Sequence, residues 1–298
     1  MKNAVVIEGV QNFNISQILE CGQVFRFEKI CDSNYTLIAK DKAIKITQQP
    51  NSTSIIIKNT TSGELEEIWK PYLDLDTDYS RITQVLASKD EHMKKAVEFG
   101  TGIRILRQDP WEMLISFIIS QNKAIPHIKQ CIYNITSKYG DLIEENSYGQ
   151  NYYTFPSPEQ LIKVSDEQLR ECKVGFRAPY ILDATAQIIE GTIDLTAIFH
   201  MNIEEARKKL MQIKGVGPKI ADCVLLFAYN KMEVFPTDVW IKRVIEGYYF
   251  EGKDMPLPEI QKFAKDYFGE LAGYAQQYLF FHGREEGLFK KEKKDLKK

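Results

Sequence analysis

The sequence has few cysteines and few histidines, and neither residue type is spaced to hold a metal ion. The five cysteines are odd in number and far apart along the chain. Such spacing is typical of a reducing compartment and predicts neither a disulfide framework nor a zinc site. The four histidines are isolated and form no HExxH pair. We therefore expect no bound metal and no other cofactor.

Long apolar runs and an excess of positive charge are also missing. No stretch approaches the roughly 18 apolar residues of a membrane span, and the apolar run near Met1 is too short for a secretion signal. Lys and Arg number 39 against 41 Asp and Glu, so any nucleic acid must bind to a local basic face. We expect a monomer without membrane contact, located in the cytoplasm, or in the nucleus of a eukaryote, and not secreted.

Two hydrophobic patterns divide the chain and predict an α+β fold. Up to about residue 59, short β-like segments predict an antiparallel sheet, at 4–10, 24–30, 35–39, 43–47 and 54–58. From about residue 63 the spacing is helical, and we predict no further strand. The predicted helices span 64–73, 79–87, 91–99, 110–120, 126–139, 158–164, 166–172, 179–189, 203–213, 218–229, 238–248 and 258–282. We predict a sheet subdomain at 1–107, a helical region at 108–298, and a disordered basic tail at 290–298.

The most informative segment is a predicted helix-hairpin-helix at 203–229. One helix ends near Ile213, the glycines Gly215 and Gly217 flank Val216, and Pro218 begins the next helix. Glycines allow backbone N–H groups to approach a phosphate, and the second helix adds its positive N-terminal end. The hairpin therefore predicts contact with a DNA backbone, although a tight turn between packed helices has the same pattern.

The hairpin is followed by a Pro-containing loop that ends at Asp238. Together these features resemble the helix-hairpin-helix (HhH-GPD) DNA glycosylase superfamily, in which a lysine at the position of Lys219 forms a covalent intermediate. A free lysine is protonated at neutral pH and is a poor nucleophile, but a helix N-terminus disfavours that charged form. The resemblance implies that Lys219 is the nucleophile and that Asp238, at a helix N-cap, stabilises the sugar cation. Lys219 as a phosphate contact and Asp238 as a plain cap remain alternatives.

Residues from both ends of the chain resemble the lesion pocket of the 8-oxoguanine DNA glycosylase/lyase family. Gln276 and Phe280 lie one helical turn apart, and the resemblance implies that they read and stack on the flipped base. Cys223 lies one turn after Lys219 and would form the opposite wall. Gly22 begins a Gly-Gln-x-Phe-Arg segment, and in the family its carbonyl accepts the N7–H of 8-oxoguanine. From the residues alone, Phe280 and Gln276 are more commonly a core aromatic beside a surface amide. Cys223 would be a buried small residue, and Gly22 would be a turn residue.

The resemblance also implies contacts with DNA outside the lesion pocket. Asn122 would fill the gap left by the flipped base, and Phe176 and Arg177 would face the orphaned partner. Three positions depart from the eukaryotic pattern: His127 replaces an arginine near the orphaned base, Phe176 replaces a tyrosine, and Trp240 replaces a phosphate-contacting histidine. The first two changes put the preference for the opposite base in doubt, and the third weakens one backbone contact, but none affects the chemistry.

The matching segments extend from Gly22 to Phe280, and they predict a bifunctional enzyme. We expect it to excise 8-oxoguanine from double-stranded DNA through a lysine Schiff base and to cleave the abasic site by β-elimination. A non-catalytic DNA-binding module is the first alternative, and the joint presence of Lys219 and Asp238 argues against it. A glycosylase for oxidised pyrimidines or alkylated purines is the second. The C-terminal end lacks the four cysteines that hold an iron–sulfur cluster in some related enzymes, and this argues against the second alternative.

Overall fold

The computed structural model describes residues 3–145, 149 and 151–288, and its N-terminal part contains a five-stranded sheet. The strand order is β1-β5-β4-β3-β2, and all neighbouring strands are antiparallel. Leu37 pairs with Ile44 and Tyr35 with Ile46, so that one face of the sheet is buried. All five predicted strands are confirmed. They are β1 Ala4–Ile7, β2 Phe27–Cys31, β3 Asn34–Ala39, β4 Lys42–Thr47 and β5 Ile55–Lys58.

A short helix inside this β-rich region was not predicted. Helix α1 (Ile15–Glu20) is capped by Asn14, whose side chain accepts from the Gln17 N–H, and it buries Ile18 and Leu19 against the sheet. Six residues are fewer than two helical turns, which is too short for a helical period to stand out in the sequence. The helix matters because it leads directly into Gly22.

The rest of the described chain is mainly helical, as predicted, and the helices surround a second, larger core. They are α2 Ser62–Glu64, α3 Lys70–Tyr72, α4 Tyr79–Ala87, α5 Glu91–Phe99, α6 Pro110–Ser120, α7 Ile125–Tyr139, α8 Pro158–Leu161, α9 Asp166–Glu171, α10 Ala178–Ile189, α11 Ile203–Leu210, α12 Pro218–Tyr229, α13 Val239–Tyr249, α14 Leu257–Phe268 and α15 Ala272–Glu285. A π-helical turn, Leu65–Trp69, joins α2 to α3.

Two predictions about the helical part were wrong. A two-stranded sheet, β6 (Leu142–Glu144) and β7 (Tyr152–Tyr153), lies where we predicted no strand, because strands of two or three residues show no alternation. The single helix predicted at 258–282 is two helices. Gly269, at φ +57°, ends α14 in a conformation that favours glycine, and α15 begins after a short 3-10 turn.

The sheet core and the helical core meet where the chain enters α6. Ile103 and Ile105 belong to the helical core, whereas Leu106 lies in the sheet core. The division at residue 107 stays a prediction, and the basic tail at 290–298 lies outside the described residues. In the part of the chain that the structure describes, no helix has both the length and the apolarity needed to cross a bilayer.

Candidate active site

The hairpin forms as predicted between α11 and α12. Gly215 has φ +80°, and a methyl group there would overlap the Tyr180 ring, so only glycine fits. Val216 is buried and anchors the turn. Gly217 is the N-cap of α12 and supplies no side chain to its first turn. The positive end of α12 is therefore left uncapped for an external anion.

An ion pair that we did not predict joins the two hairpin helices. Arg207 on α11 donates from Nε to Asp222 Oδ1 on α12 at 2.7 Å, and the Asp222 side chain is 3% exposed. A buried carboxylate needs such a partner, because an unpaired buried charge is strongly destabilising. The pair holds the hairpin helices together. Asp222 precedes Cys223 directly, and its burial was not visible from the sequence pattern.

Lys219 is the second residue of α12, as predicted, and its side chain is partly exposed. Its Nζ lies 5.5 Å from the centre of the Phe117 ring. Phe117 is packed in turn between Phe25 and Phe227, with ring centres 5.7 Å and 5.6 Å away. Among the described residues, Lys219 forms no ion pair with a carboxylate. The amine thus lies over an aromatic ring in the first turn of α12.

Cys223 lies one turn further along α12 and is 4% exposed. Burial raises the pKa of its thiol to about 11, and the nearby Lys219 opposes that shift while Asp238 adds to it. The thiol is therefore neutral at pH 7 and does not compete with an amine as a nucleophile. The shared electrostatic influence shows that Lys219 and Asp238 both lie near the Cys223 sulfur. Cys223 offers a soft, uncharged wall.

Asp238 is the N-cap of α13, as predicted, and accepts from the Ile241 N–H at 2.8 Å. The loop before it is held by Gln261, which donates to Thr237 Oγ1 and to the Phe235 carbonyl, each at 2.8 Å. The carboxylate is only partly buried and retains free acceptor capacity towards the site.

Trp240, on the first turn of α13, is partly exposed beside Arg243, whose guanidinium carbon lies 5.8 Å from the centre of a Trp240 ring. An indole N–H is a hydrogen-bond donor, so this surface can still contact a phosphate.

The two ends of the chain meet at the predicted lesion pocket. Gly22 has φ +91°, and a Cβ atom there would lie 3.3 Å from Phe280 Cε1. Gln277 locks this arrangement by donating to the Cys21 carbonyl at 3.2 Å. Gln276 is 5% exposed, and its Oε1 has no hydrogen-bond partner in the described part of the chain. A buried acceptor without a partner is costly, which is expected where a ligand supplies the donor.

The predicted contacts to the opposite strand lie on two neighbouring segments. Asn122, at φ +50°, is exposed between α6 and α7, and His127 is exposed in the first turn of α7. Lys123 and Cys131 both bond to the Lys173 carbonyl, at 3.0 and 3.2 Å, and so bring the second segment close. These contacts join the α7 segment to the loop that carries Phe176 and Arg177.

That second segment exposes Phe176 but not Arg177. Phe176 is 49% exposed, whereas Arg177 is 4% exposed and lies with its guanidinium carbon 4.2 Å from the Phe176 ring centre. Arg177 Nη1 donates to the Val174 carbonyl, and its buried Nε has no partner among the described residues. The structure therefore does not place the Arg177 side chain at the surface, and its role towards the orphaned base stays a prediction.

The Gly-Gln-x-Phe-Arg segment contains structural residues whose roles we did not predict. Gln23 is fully buried; it donates to the Arg104 carbonyl at 2.8 Å and accepts from the Leu106 N–H at 2.9 Å. Arg26 forms a buried ion pair with Glu112 at 2.9 Å, and burial raises the pKa of that carboxyl. Because these contacts join the Gly22 turn to α6 and to the segment before it, they set the position of the turn. The sequence signal for these roles was the presence of Gln23 and Arg26 directly after the turn glycine.

A cavity of about 750 Å³ adjoins the Gly22 turn on the side of the sheet. Gly22 and Ile125 line it, but Lys219, Cys223, Gln276 and Phe280 do not. The Lys129 ammonium lies 3.6 Å from the Phe27 ring centre, and burial lowers its pKa. Apart from Gly22, this cavity is thus separate from the residues to which the sequence assigns chemistry.

Comparison with known proteins agrees with this geometry over most of the chain. Residues 5–114 match the N-terminal domain of 8-oxoguanine DNA glycosylase, and residues 115–268 match the HhH-GPD superfamily of base excision DNA repair proteins. A probable N-glycosylase/DNA lyase of Methanothermobacter thermautotrophicus is 32% identical over 78% of this chain and 77% of that protein. The N-glycosylase/DNA lyase of Saccharomyces cerevisiae is 30% identical over 79% of this chain and 68% of that protein.

Among solved structures, the Clostridium acetobutylicum 8-oxoguanine glycosylase/lyase, bound to double-stranded DNA with cytosine opposite 8-oxoguanine, is 40% identical with a TM-score of 0.91. The similarity covers 97% of both chains. The predicted resemblance is therefore confirmed: the chain belongs to the 8-oxoguanine DNA glycosylase family of the HhH-GPD superfamily of base excision DNA repair proteins.

Proposed function

We propose that this chain is a bifunctional DNA glycosylase that releases 8-oxoguanine from duplex DNA and then cleaves the abasic strand. One observation carries the proposal: Lys219, which forms no ion pair among the described residues, lies at an uncapped helix N-terminus beside the neutral Cys223 thiol, whose pKa Asp238 also raises. The family members to which it is similar are named for the same two activities. We propose that it is located in the compartment that contains the DNA, which is the cytoplasm of a prokaryote or the nucleus of a eukaryote.

The proposed reaction begins at C1′ of the flipped nucleotide. As the C1′–N9 bond breaks, its electron pair leaves with the base, and positive charge develops on the sugar that Asp238 stabilises. Lys219 Nζ bonds to C1′ and loses a proton, the released base gains one, and opening of the sugar ring yields an imine. Loss of a C2′ proton then expels the 3′ phosphate by β-elimination.

The DNA backbone is proposed to bind at the hairpin. The glycines Gly215 and Gly217 expose backbone N–H groups beside the positive end of α12, which favours a phosphate without reading sequence. Trp240 lies in the first turn of α13 and is proposed to contact the same strand. Asn122, at an exposed turn, is proposed to fill the gap that base flipping leaves.

Truncating the lesion pocket should impair excision more than product binding. Phe280→Ala should remove stacking worth about 1 to 3 kcal/mol, and Gln276→Ala should remove a comparable hydrogen-bond contribution. Single-turnover rates on 8-oxoguanine duplexes and affinities for abasic product would measure the two effects. Equal losses on lesion and product would mean that both residues are purely structural.

The opposite base should be selected weakly, because His127 and Phe176 replace an arginine and a tyrosine of the eukaryotic pattern. An arginine fork satisfies the acceptors of cytosine in a fixed geometry, whereas a histidine ring is shorter and donates or accepts according to its tautomer. We expect excision rates opposite adenine, guanine and thymine to be closer to the rate opposite cytosine than a fully arginine-lined site would allow, and His127→Arg should sharpen the preference for cytosine. Single-turnover rates on four duplexes test this. A strict cytosine requirement in the unaltered chain would assign selectivity to Arg177 or to another residue.

The proposed function is tested with duplexes that each contain one lesion, incubated with borohydride to trap an imine. We expect a trapped adduct and strand cleavage with 8-oxoguanine. Adducts with oxidised pyrimidines alone would support the lysine chemistry but assign a different substrate. Release of alkylated purines without an adduct would favour a monofunctional enzyme. Binding without any base release would favour a DNA-binding module.

A further inference from the structure

A third side chain continues the stripe formed by Gln276 and Phe280. Arg284 lies four residues after Phe280 on α15, and its guanidinium carbon is 5.5 Å from the centre of the Phe280 ring. Residues four apart on a helix lie on the same face. Arg284 therefore belongs to the face of α15 that forms the lesion pocket, although no motif in the sequence assigned it a role.

Hydrogen bonds hold the Arg284 guanidinium in one orientation. Nη2 donates to the Glu20 carbonyl at 2.6 Å, and Nε donates to Glu285 Oε1 at 2.8 Å. The remaining nitrogen, Nη1, is buried and has no hydrogen-bond partner among the described residues. An arginine donor is always charged, so leaving one buried and unpaired is costly unless a ligand supplies an acceptor.

The unpaired nitrogen faces the Gly22 turn. A Cβ atom on Gly22 would lie 3.2 Å from Arg284 Nη1 and 3.3 Å from Phe280 Cε1. The three residues thus enclose one corner of the pocket, with an aromatic ring, a glycine backbone and a charged donor. The absence of a side chain at Gly22 spares Nη1 a close contact with a Cβ atom.

The edge of 8-oxoguanine that carries N7 needs both a donor and an acceptor from the protein. It presents the O6 acceptor, the N7–H donor and the O8 acceptor in a row. When the N7–H of the base donates to the Gly22 carbonyl, O6 lies on one side of that hydrogen bond and O8 on the other. Either oxygen is then within reach of a donor beside Gly22. We propose that Arg284 is a specificity-determining residue that donates from Nη1 to one of these two oxygens.

This inference rests on the proposed function and adds a second charged group to it. When the C1′–N9 bond breaks, the departing base carries the electron pair, and its negative charge is shared with its carbonyl oxygens. A fixed guanidinium donor on such an oxygen stabilises the leaving base more strongly than the intact nucleoside. Arg284 should therefore contribute to base release and not to the later cleavage of an abasic site.

The test is Arg284→Met, which removes the donors and the charge but keeps a long apolar chain against Phe280. Arg81→Met, at an exposed position on α4, is the matched control. We expect Arg284→Met to slow release of 8-oxoguanine about 10- to 100-fold and to leave cleavage of a preformed abasic site and its borohydride adduct unchanged. The thermal unfolding midpoints of both variants establish that they are folded.

Two further lesions identify the oxygen. 8-Thioguanine replaces O8 and 2,6-diamino-8-oxopurine replaces O6, and both keep N7–H. For each lesion we compare the rate of base release by the unaltered chain with the rate by Arg284→Met. The ratio of the two rates should fall towards one on the lesion that lacks the contacted oxygen. An equal ratio on all three lesions, or an equal loss of abasic-site cleavage, would overturn this inference alone. No release of 8-oxoguanine by the unaltered chain would overturn the proposed function together with it.

Discussion

Replacing Lys219 with glutamine should abolish base release, strand cleavage and the borohydride-trapped adduct together. Glutamine is close to lysine in length but has no nucleophilic amine, so neither the bond to C1′ nor the imine can form. Loss of all three signals is expected because one nitrogen atom takes part in every step. Denaturing gels of 8-oxoguanine duplexes, with and without borohydride, would measure it.

Two other lysines make this test decisive. Lys163→Gln removes an exposed lysine outside the site and should leave all three signals intact. Lys129 is the alternative nucleophile that the structure offers, because burial lowers its pKa and it lines the cavity beside Gly22. If Lys219→Gln still forms a trapped adduct that disappears in Lys129→Gln, the assignment of the nucleophile is wrong.

Asp238→Asn should slow base release about 100-fold or more and leave DNA affinity nearly unchanged. Asparagine is also a good N-cap, so the hydrogen bond to the Ile241 N–H and the start of α13 should persist. What disappears is the negative charge that stabilises the sugar as positive charge develops on it. Single-turnover release rates and fluorescence anisotropy with a lesion duplex measure the two quantities separately.

Asp78 provides the matched control for the capping role. It is the N-cap of α4 and accepts from the Arg81 N–H at 3.2 Å, but its side chain is exposed and belongs to no part of the candidate site. Asp78→Asn should therefore leave base release unchanged. Unchanged release in Asp238→Asn would remove that carboxylate from the mechanism and leave it as a plain cap. A parallel loss of DNA binding would instead indicate a damaged α13.

The elements that were predicted correctly are those with strong local signals. The five strands of the sheet are β-like segments bounded by turn residues, and the hairpin is marked by Gly215, Gly217 and Pro218. The missed elements are short. Helix α1 and the strands β6 and β7 span too few residues for a period to appear, and their formation depends on the surfaces against which they pack.

The sequence by itself determined the local chemistry of the site. It placed Lys219 in the first turn of a helix after an uncapped glycine turn, and it placed Asp238 at an N-cap. These features follow from the residues within one or two turns, because caps, turns and helix starts are stabilised by hydrogen bonds between near neighbours. Their joint presence was sufficient to predict the superfamily, and the segments around Gly22, Gln276 and Phe280 predicted the family within it.

Only the tertiary structure decided which distant residues meet. Gly22 and Phe280 come from opposite ends of the chain, and their contact depends on the way α15 packs against the turn after α1. The burial of Arg177 and the unpaired donor of Arg284 were likewise invisible in the sequence. Burial and unsatisfied hydrogen bonds are properties of the packed molecule, because they depend on every element that surrounds a side chain and not on its neighbours along the chain.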